Sequence, residues 1–161
     1  MKKLIALVAL LLTVQFIIAQ RKTTPDDDWR FHYGPAEASA RDYDDSQWRR
    51  LNLPHDWSVE TEAATAASGT VVGPFSTNSI GNYQTGFTVG GEGWYRKRIE
   101  LGETDLEQRI SLYFEGAYNH AKVWVNGNPV CENIYGYHSF RSDITPYCHA
   151  GSNTIAVRVT N

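Results

Sequence analysis

From Trp94 to Val125 the chain repeatedly changes side from one residue to the next, and this period limits what it can fold into. Tyr95, Lys97, Ile99 and Leu101 alternate with Trp94, Arg96, Arg98 and Glu100. Ile110, Leu112 and Phe114 alternate in the same way with Arg109, Ser111, Tyr113 and Glu115. A two-residue period turns one face of each run toward a core, as a strand does. A third run, 121–125, ends at Asn126-Gly127, which suits the two positive-φ positions of a type I′ turn. Val123 and Val125 are therefore expected to pair back through Val130, and the three runs predict an antiparallel sheet. Ile155, Val157 and Val159 repeat the pattern near the end of the chain. The 5 Trp, 9 Tyr and 6 Phe favour strands, and no stretch after residue 20 keeps a 3.6-residue stripe. Sustained helix is expected in the first nineteen residues alone, with a short turn of helix or 3₁₀ over Asp143–Tyr147, where Asp143 suits the N-cap, and 161 residues suit one domain.

Those first residues, 1–19, read as a signal peptide. Lys2 and Lys3 precede an apolar run from Leu4 to Ala19 that is short for a membrane span, with Ala19 as a small residue before a polar segment. Export to the bacterial periplasm or beyond is expected, with no stable membrane span after cleavage, and 20–28 is expected to be a flexible leader. Lys2 and Lys3 are two of the 15 basic residues, so 13 remain against 18 acidic ones, a charge of −5. An acidic exported chain has no electrostatic reason to hold nucleic acid. Cys131 and Cys148 are the two cysteines, and export permits a bridge between them; two half-buried thiols are the simpler expectation. His32, His120, His138 and His149 have no metal-ligand spacing, so neither a metal nor a cofactor is expected.

Along the chain, Trp29, Phe31 and Tyr33 share one face of the expected first strand, and Asp42–Asp45 reads as a solvated acidic turn before Trp48. In Pro54-His55-Asp56-Trp57, His55 and Asp56 point to opposite sides and cannot act as a base and its orienter. They are expected to tie down the strand exit, with Trp57 covering the core edge. The segment 58–90 is an irregular excursion, and its Glu60 and Glu62 are expected to be solvated loop acids because nothing there gives the rigidity a carboxylate pair needs. Tyr135, Tyr137 and Phe140 surround Gly136 and could either stack on a sugar or pack the core.

Several phrases recur together in one known family. They are Gly91-Glu92-Gly93-Trp94-Tyr95-Arg96-Lys97, Phe114-Glu115-Gly116 with Tyr118, and Val123-Trp124-Val125-Asn126-Gly127. Gly136-Tyr137 with Ser139-Phe140, then Asp143-Ile144-Thr145, then Gly151 and Asn153 before Ile155-Ala156-Val157-Arg158-Val159 complete the set. In this order the chain from Trp29 to Asn161 resembles the N-terminal sugar-binding domain of glycoside hydrolase family 2, the β-galactosidase and β-glucuronidase group.

The resemblance implies an all-β, galactose-binding-domain-like jelly-roll sandwich of about eight antiparallel strands over 29–161. It implies a carbohydrate partner, a β-galactoside or related glycoside, and a catalytic barrel of the same enzyme that carries both glutamates and is missing from these residues. No catalytic residue is therefore expected here. In such relatives the loop before the strand at Trp94 reaches the sugar, which puts substrate contact at Gly90, Gly91 and Glu92. Gly90 has no side chain to offer, so Glu92 or a main-chain amide would have to serve; the plainer expectation is a glycine turn. The implied function is the carbohydrate-binding module of a β-galactosidase-like hydrolase. A stand-alone exported lectin or a bracing domain without sugar contact are the alternatives.

Overall fold

A computed structural model describes residues 22–59, 71–72, 75–76, 79 and 82–161. The expected signal peptide and the acids Glu60 and Glu62 lie outside the described residues.

The fold is the expected all-β jelly-roll sandwich. Its strands are β1 (Trp29–Tyr33), β2 (Arg49–Leu51), β3 (Val71–Val72), β4 (Phe75–Ser76), β5 (Glu92–Leu101), β6 (Ser111–Phe114), β7 (His120–Val125), β8 (Asn128–Asn133), β9 (Phe140–Asp143) and β10 (Gly151–Thr160). Six of them form one antiparallel sheet in the order β2-β1-β5-β10-β7-β8, while β6 pairs with β9 and β3 with β4. The three alternating runs at the centre of the sequence are therefore divided. β10 separates β5 from β7, and β6 lies in the second layer. The expected short turn after Asp143 is a 3₁₀ turn at Thr145–Tyr147, and α1 (Glu103–Leu106) and 3₁₀ turns at Trp57–Val59 and Asn82–Thr85 also occur in connections.

Alternation explains the core. Ala121, Val123 and Val125 of β7, Ile155, Val157 and Val159 of β10, and Trp29 and Phe31 of β1 are buried together with Tyr95 and Trp57. Leu112, Phe114 and Phe140 pack on this cluster from the β6–β9 pair, and the Phe114 and Phe140 rings stack at 4.7 Å. The turn after β7 is as expected, with Asn126 at φ 51° and Gly127 at φ 83°. Val123 faces Cys131, because a bulge after it places Val130 between the paired positions. Cys131 and Cys148 are free and half-buried, and burial pushes both thiols up.

The outer face of β5 corrects one expectation. Asp45 is not solvated: it is 3% exposed, and Arg96 is 0% exposed beside it. Arg96 Nε donates to Asp45 Oδ2 at 2.8 Å, and its two terminal nitrogens donate to the carbonyls of Ala38, Ala40, Arg41 and Tyr43. A guanidinium presents five donors in a planar fork, so the loop wraps its carbonyls around the charge. That loop covers the face on which Trp94 and Trp124 stack at 5.4 Å. Residues 25–27 of the leader are bonded to the sandwich. Trp29 Nε1 donates to the Pro25 carbonyl at 2.7 Å, Leu53 N to the Asp26 carbonyl at 2.7 Å, and Lys97 pairs with Asp27 at 3.1 Å.

Candidate functional site

The strand register assembles one end of the sandwich from four separate parts of the chain. Tyr33 faces Gly93, Gly93 faces Val159, Val159 faces Ala121, and Ala121 faces Asn133. This row crosses β1, β5, β10, β7 and β8. The residues just beyond it, Gly90 to Glu92, Asn161, the turn at Tyr118 and the loop at Ile134, all border the same rim.

Gly90 and Gly91 join two elements there. Gly91 N donates to the Asn161 carbonyl at 3.2 Å, and Asn161 N returns a bond to the Gly91 carbonyl at 3.1 Å. The Tyr33 hydroxyl donates to the Gly90 carbonyl at 2.9 Å. Both positions require glycine. A Cβ on Gly90 would lie 2.8 Å from the Asn161 carbonyl oxygen, and one on Gly91, at φ +133°, would lie 2.8 Å from the Tyr33 hydroxyl. The Gly91 amide is thus engaged within the protein.

Glu92 begins β5 on the outer face. Its Oε1 accepts from Trp94 Nε1 at 2.7 Å, and Arg158 Nε stands 3.9 Å from its Oε2. The carboxylate is committed to holding the indole and the neighbouring strand. Of the three residues implied by resemblance, two give main-chain shape and the third holds the sheet together.

Two rim residues were not singled out by the sequence. Tyr33 shares a face with Trp29 and Phe31, yet β1 ends at it, and its ring is 45% exposed. Asn161 is exposed and locked to Gly91 through its main chain. No motif marks either, because their placement follows from which strands are neighbours. Together the rim presents an aromatic face, the Tyr33 hydroxyl, an amide side chain and a glycine shelf. These groups suit hydrogen bonding and stacking on an uncharged polar ligand.

His55 and Asp56 act structurally, as expected. His55 Nδ1 is 2.8 Å from the Tyr95 hydroxyl and its Nε2 is 2.9 Å from an Arg49 terminal nitrogen, while Asp56 Oδ1 accepts from Ser58 N and Oγ. Trp57 is 5% exposed and lies on the Phe31 ring at 6.2 Å. At the far edge of the rim His120 Nε2 is 2.5 Å from Glu132 Oε1, and Lys122 Nζ is 3.2 Å from the same oxygen. The His120 bond, then Lys122, holds the Glu132 carboxyl below its usual range. Tyr135 and Tyr137, expected either to meet a sugar or to pack the core, are 55% and 76% exposed. Among the described residues no three His, Cys, Asp or Glu side chains gather as a metal site requires, and no helix is long and apolar enough to cross a membrane.

Comparison with known proteins places these features in context. The family model for glycosyl hydrolases family 2, sugar binding domain, matches residues 24–161. A beta-galactosidase of Bacteroides ovatus is 37% identical over 136 residues, 83% of this chain and 15% of that protein. A beta-glucuronidase of Formosa agariphila is 30% identical over 142 residues, 83% of this chain and 13% of that protein. The crystal structure of a glycosyl hydrolase family 2 member from Bacteroides cellulosilyticus superposes with a TM-score of 0.75 at 41% identity, covering 88% of this chain and 18% of that one. The chain thus spans about a seventh of the length of the curated relatives it matches.

Proposed function

Because the chain belongs to the family 2 glycosyl hydrolase sugar-binding domains, we propose that it is the carbohydrate-binding module of an exported, β-galactosidase-like hydrolase. In this reading the rim formed by Gly90, Gly91, Tyr33 and Asn161 meets a terminal β-linked sugar. Hydrolysis by two carboxylates at roughly 5 Å spacing falls to a barrel outside these residues. The observation that carries the reading is the convergence of the glycine shelf and Asn161 beside an exposed tyrosine, at the place where the resemblance puts sugar contact. Export rests on the apolar run 4–19 after Lys2 and Lys3.

One observation favours a second reading, a bracing domain that touches no sugar. The Gly91 amide and the Glu92 carboxylate are both already bonded within the protein.

Saturation-transfer NMR of the 161-residue chain with methyl β-galactoside and methyl β-glucuronide decides between them. Binding weaker than or on the order of 1 mM, reduced in Tyr33→Ala, is expected for a shallow rim. A folded chain that gives no transfer from either glycoside would leave the bracing reading in place. Release of nitrophenol from the corresponding nitrophenyl glycosides should stay at background.

A further inference from the structure

Two short loops at the same rim carry an aromatic patch that the site just described does not use. The turn 116–119 supplies Tyr118, and the loop 134–139 supplies Ile134, Tyr135 and Tyr137. Their exposures are 51%, 75%, 55% and 76%. The Tyr118 and Tyr137 rings meet edge to face at 5.3 Å, and Tyr135 lies 5.7 Å from Tyr137. The arrangement is built, since the main chain at Gly136 rests on Tyr118, where a Cβ would come within 2.5 Å of the ring. Asn133 Nδ2 donates to the Tyr135 carbonyl at 2.8 Å and fixes the start of the loop. Neither segment contains Asp, Glu, Lys or Arg.

We propose that Tyr118, Tyr135 and Tyr137 form a stacking platform for a further ring of a linear, uncharged carbohydrate chain whose end lies at Gly90 and Asn161. The proposal rests on the sugar reading given above. Ring faces offer apolar contact to the C–H face of a pyranose while the phenol hydroxyls bond its rim. The lack of charge in both loops matches a neutral chain. Distance sets the length. β7 is one strand from β10, where Asn119 N donates to the Thr160 carbonyl at 3.2 Å, and β8 is three strands from β5, so the platform runs from about 5 Å beyond Asn161 to about 15 Å from the glycine shelf. The far side of the platform lies beyond the reach of one sugar ring seated on the glycine shelf, so a chain that meets both is an oligosaccharide. A protein partner fits less well, because a stable interface needs roughly 20–30 residues a side.

The test titrates the wild-type chain and a Tyr135→Ala/Tyr137→Ala variant with methyl β-galactoside and with a β-linked galactotetraose, by protein-observed NMR. Wild type should bind the tetraose about tenfold tighter than the methyl glycoside, as one stacking contact provides. The double variant should lose that tenfold and keep its affinity for the methyl glycoside, whereas Tyr137→Phe should retain both. Equal wild-type affinities for the two sugars, or unchanged tetraose affinity in a double variant that melts like wild type, overturn the platform and leave the glycine-shelf reading standing. A chain that binds neither sugar overturns both readings. Concentration-dependent dimerisation removed by the double substitution, with no change in tetraose affinity, assigns the patch to a second copy and also overturns the platform.

Discussion

Arg96 and Asp45 form a fully buried pair, and their surroundings make the two ends unequal. Removing the carboxylate leaves a guanidinium at 0% exposure with main-chain carbonyls and the Tyr43 ring around it and no counter-charge within hydrogen-bond reach. Asp45→Ala should therefore lower stability by about 3 to 5 kcal/mol in urea denaturation. Arg98 also pairs with Asp45, at 3.1 Å, but its side chain is 51% exposed, so Arg98→Ala should cost less than about 1 kcal/mol. Equal losses in the two variants would show that burial does not set the cost. This pair was not legible beforehand: Asp45 sits among acids and small residues that read as a solvated turn, and its partner is 51 positions away. Glu132 allows a second test. Its carboxyl is held below the ordinary 4.5 by His120 and Lys122. A depressed folded-state pKa contributes stability that is present above the unfolded value and lost as pH falls through the folded one. Melting temperature against pH should therefore fall more steeply below 4.5 in wild type than in Glu132→Gln. Parallel curves would mean the pair is too solvated to count.

Among the elements, the hairpin of β7 and β8 was the most legible, because its signal is local. Asn-Gly selects two positive-φ positions, and both are present. The same dipeptide gave no indication of what else Asn126 does. Its Nδ2 donates to the Tyr147 carbonyl and to Asn153 Oδ1, each at 2.8 Å, and its Oδ1 accepts from Thr154 N at 2.9 Å. Asn153, 0% exposed, donates onward to the His149 and Gly151 carbonyls. The turn is thus tied to the start of β10 by a buried amide network. Asn126→Ala loses these bonds and leaves at φ 51° a residue that tolerates the left-handed region less well than asparagine, and should cost roughly 2 to 4 kcal/mol by urea denaturation. Asn126→Gly, which accepts the same φ, should recover about 1 kcal/mol of that. If Gly restores everything, backbone conformation and not the network holds the turn. β9 was missed for the opposite reason. Phe140–Asp143 carries one apolar and three polar residues, so its strand character comes from the partner β6 and not from its own pattern.

At the scale of the whole molecule, alternation identified the long strands but could not order them, and the order creates both the core and the candidate site. The rim exists because β10 enters between β5 and β7, bringing Asn161 to Gly91 and Thr160 between Glu92 and His120. Tyr33 and Asn161 were unreadable as site residues for this reason, whereas Gly90 to Glu92 could be placed by resemblance. The same topology makes the sheet depend on residues far apart in sequence. Without β10, β5 keeps β1 on one side and β7 keeps β8, and the two halves share no ladder in the large sheet. Ile155, Val157 and Val159, which fill the middle of the core, would also be gone. A chain ending at residue 150 should therefore show no cooperative heat-absorption peak in calorimetry. Ile155→Ala, which keeps every ladder bond, should retain a single peak and lose about 2 to 5 kcal/mol. A cooperative transition in the shortened chain would mean that β1–β5 and β7–β8 are stable separately, and that β10 only closes a structure already formed.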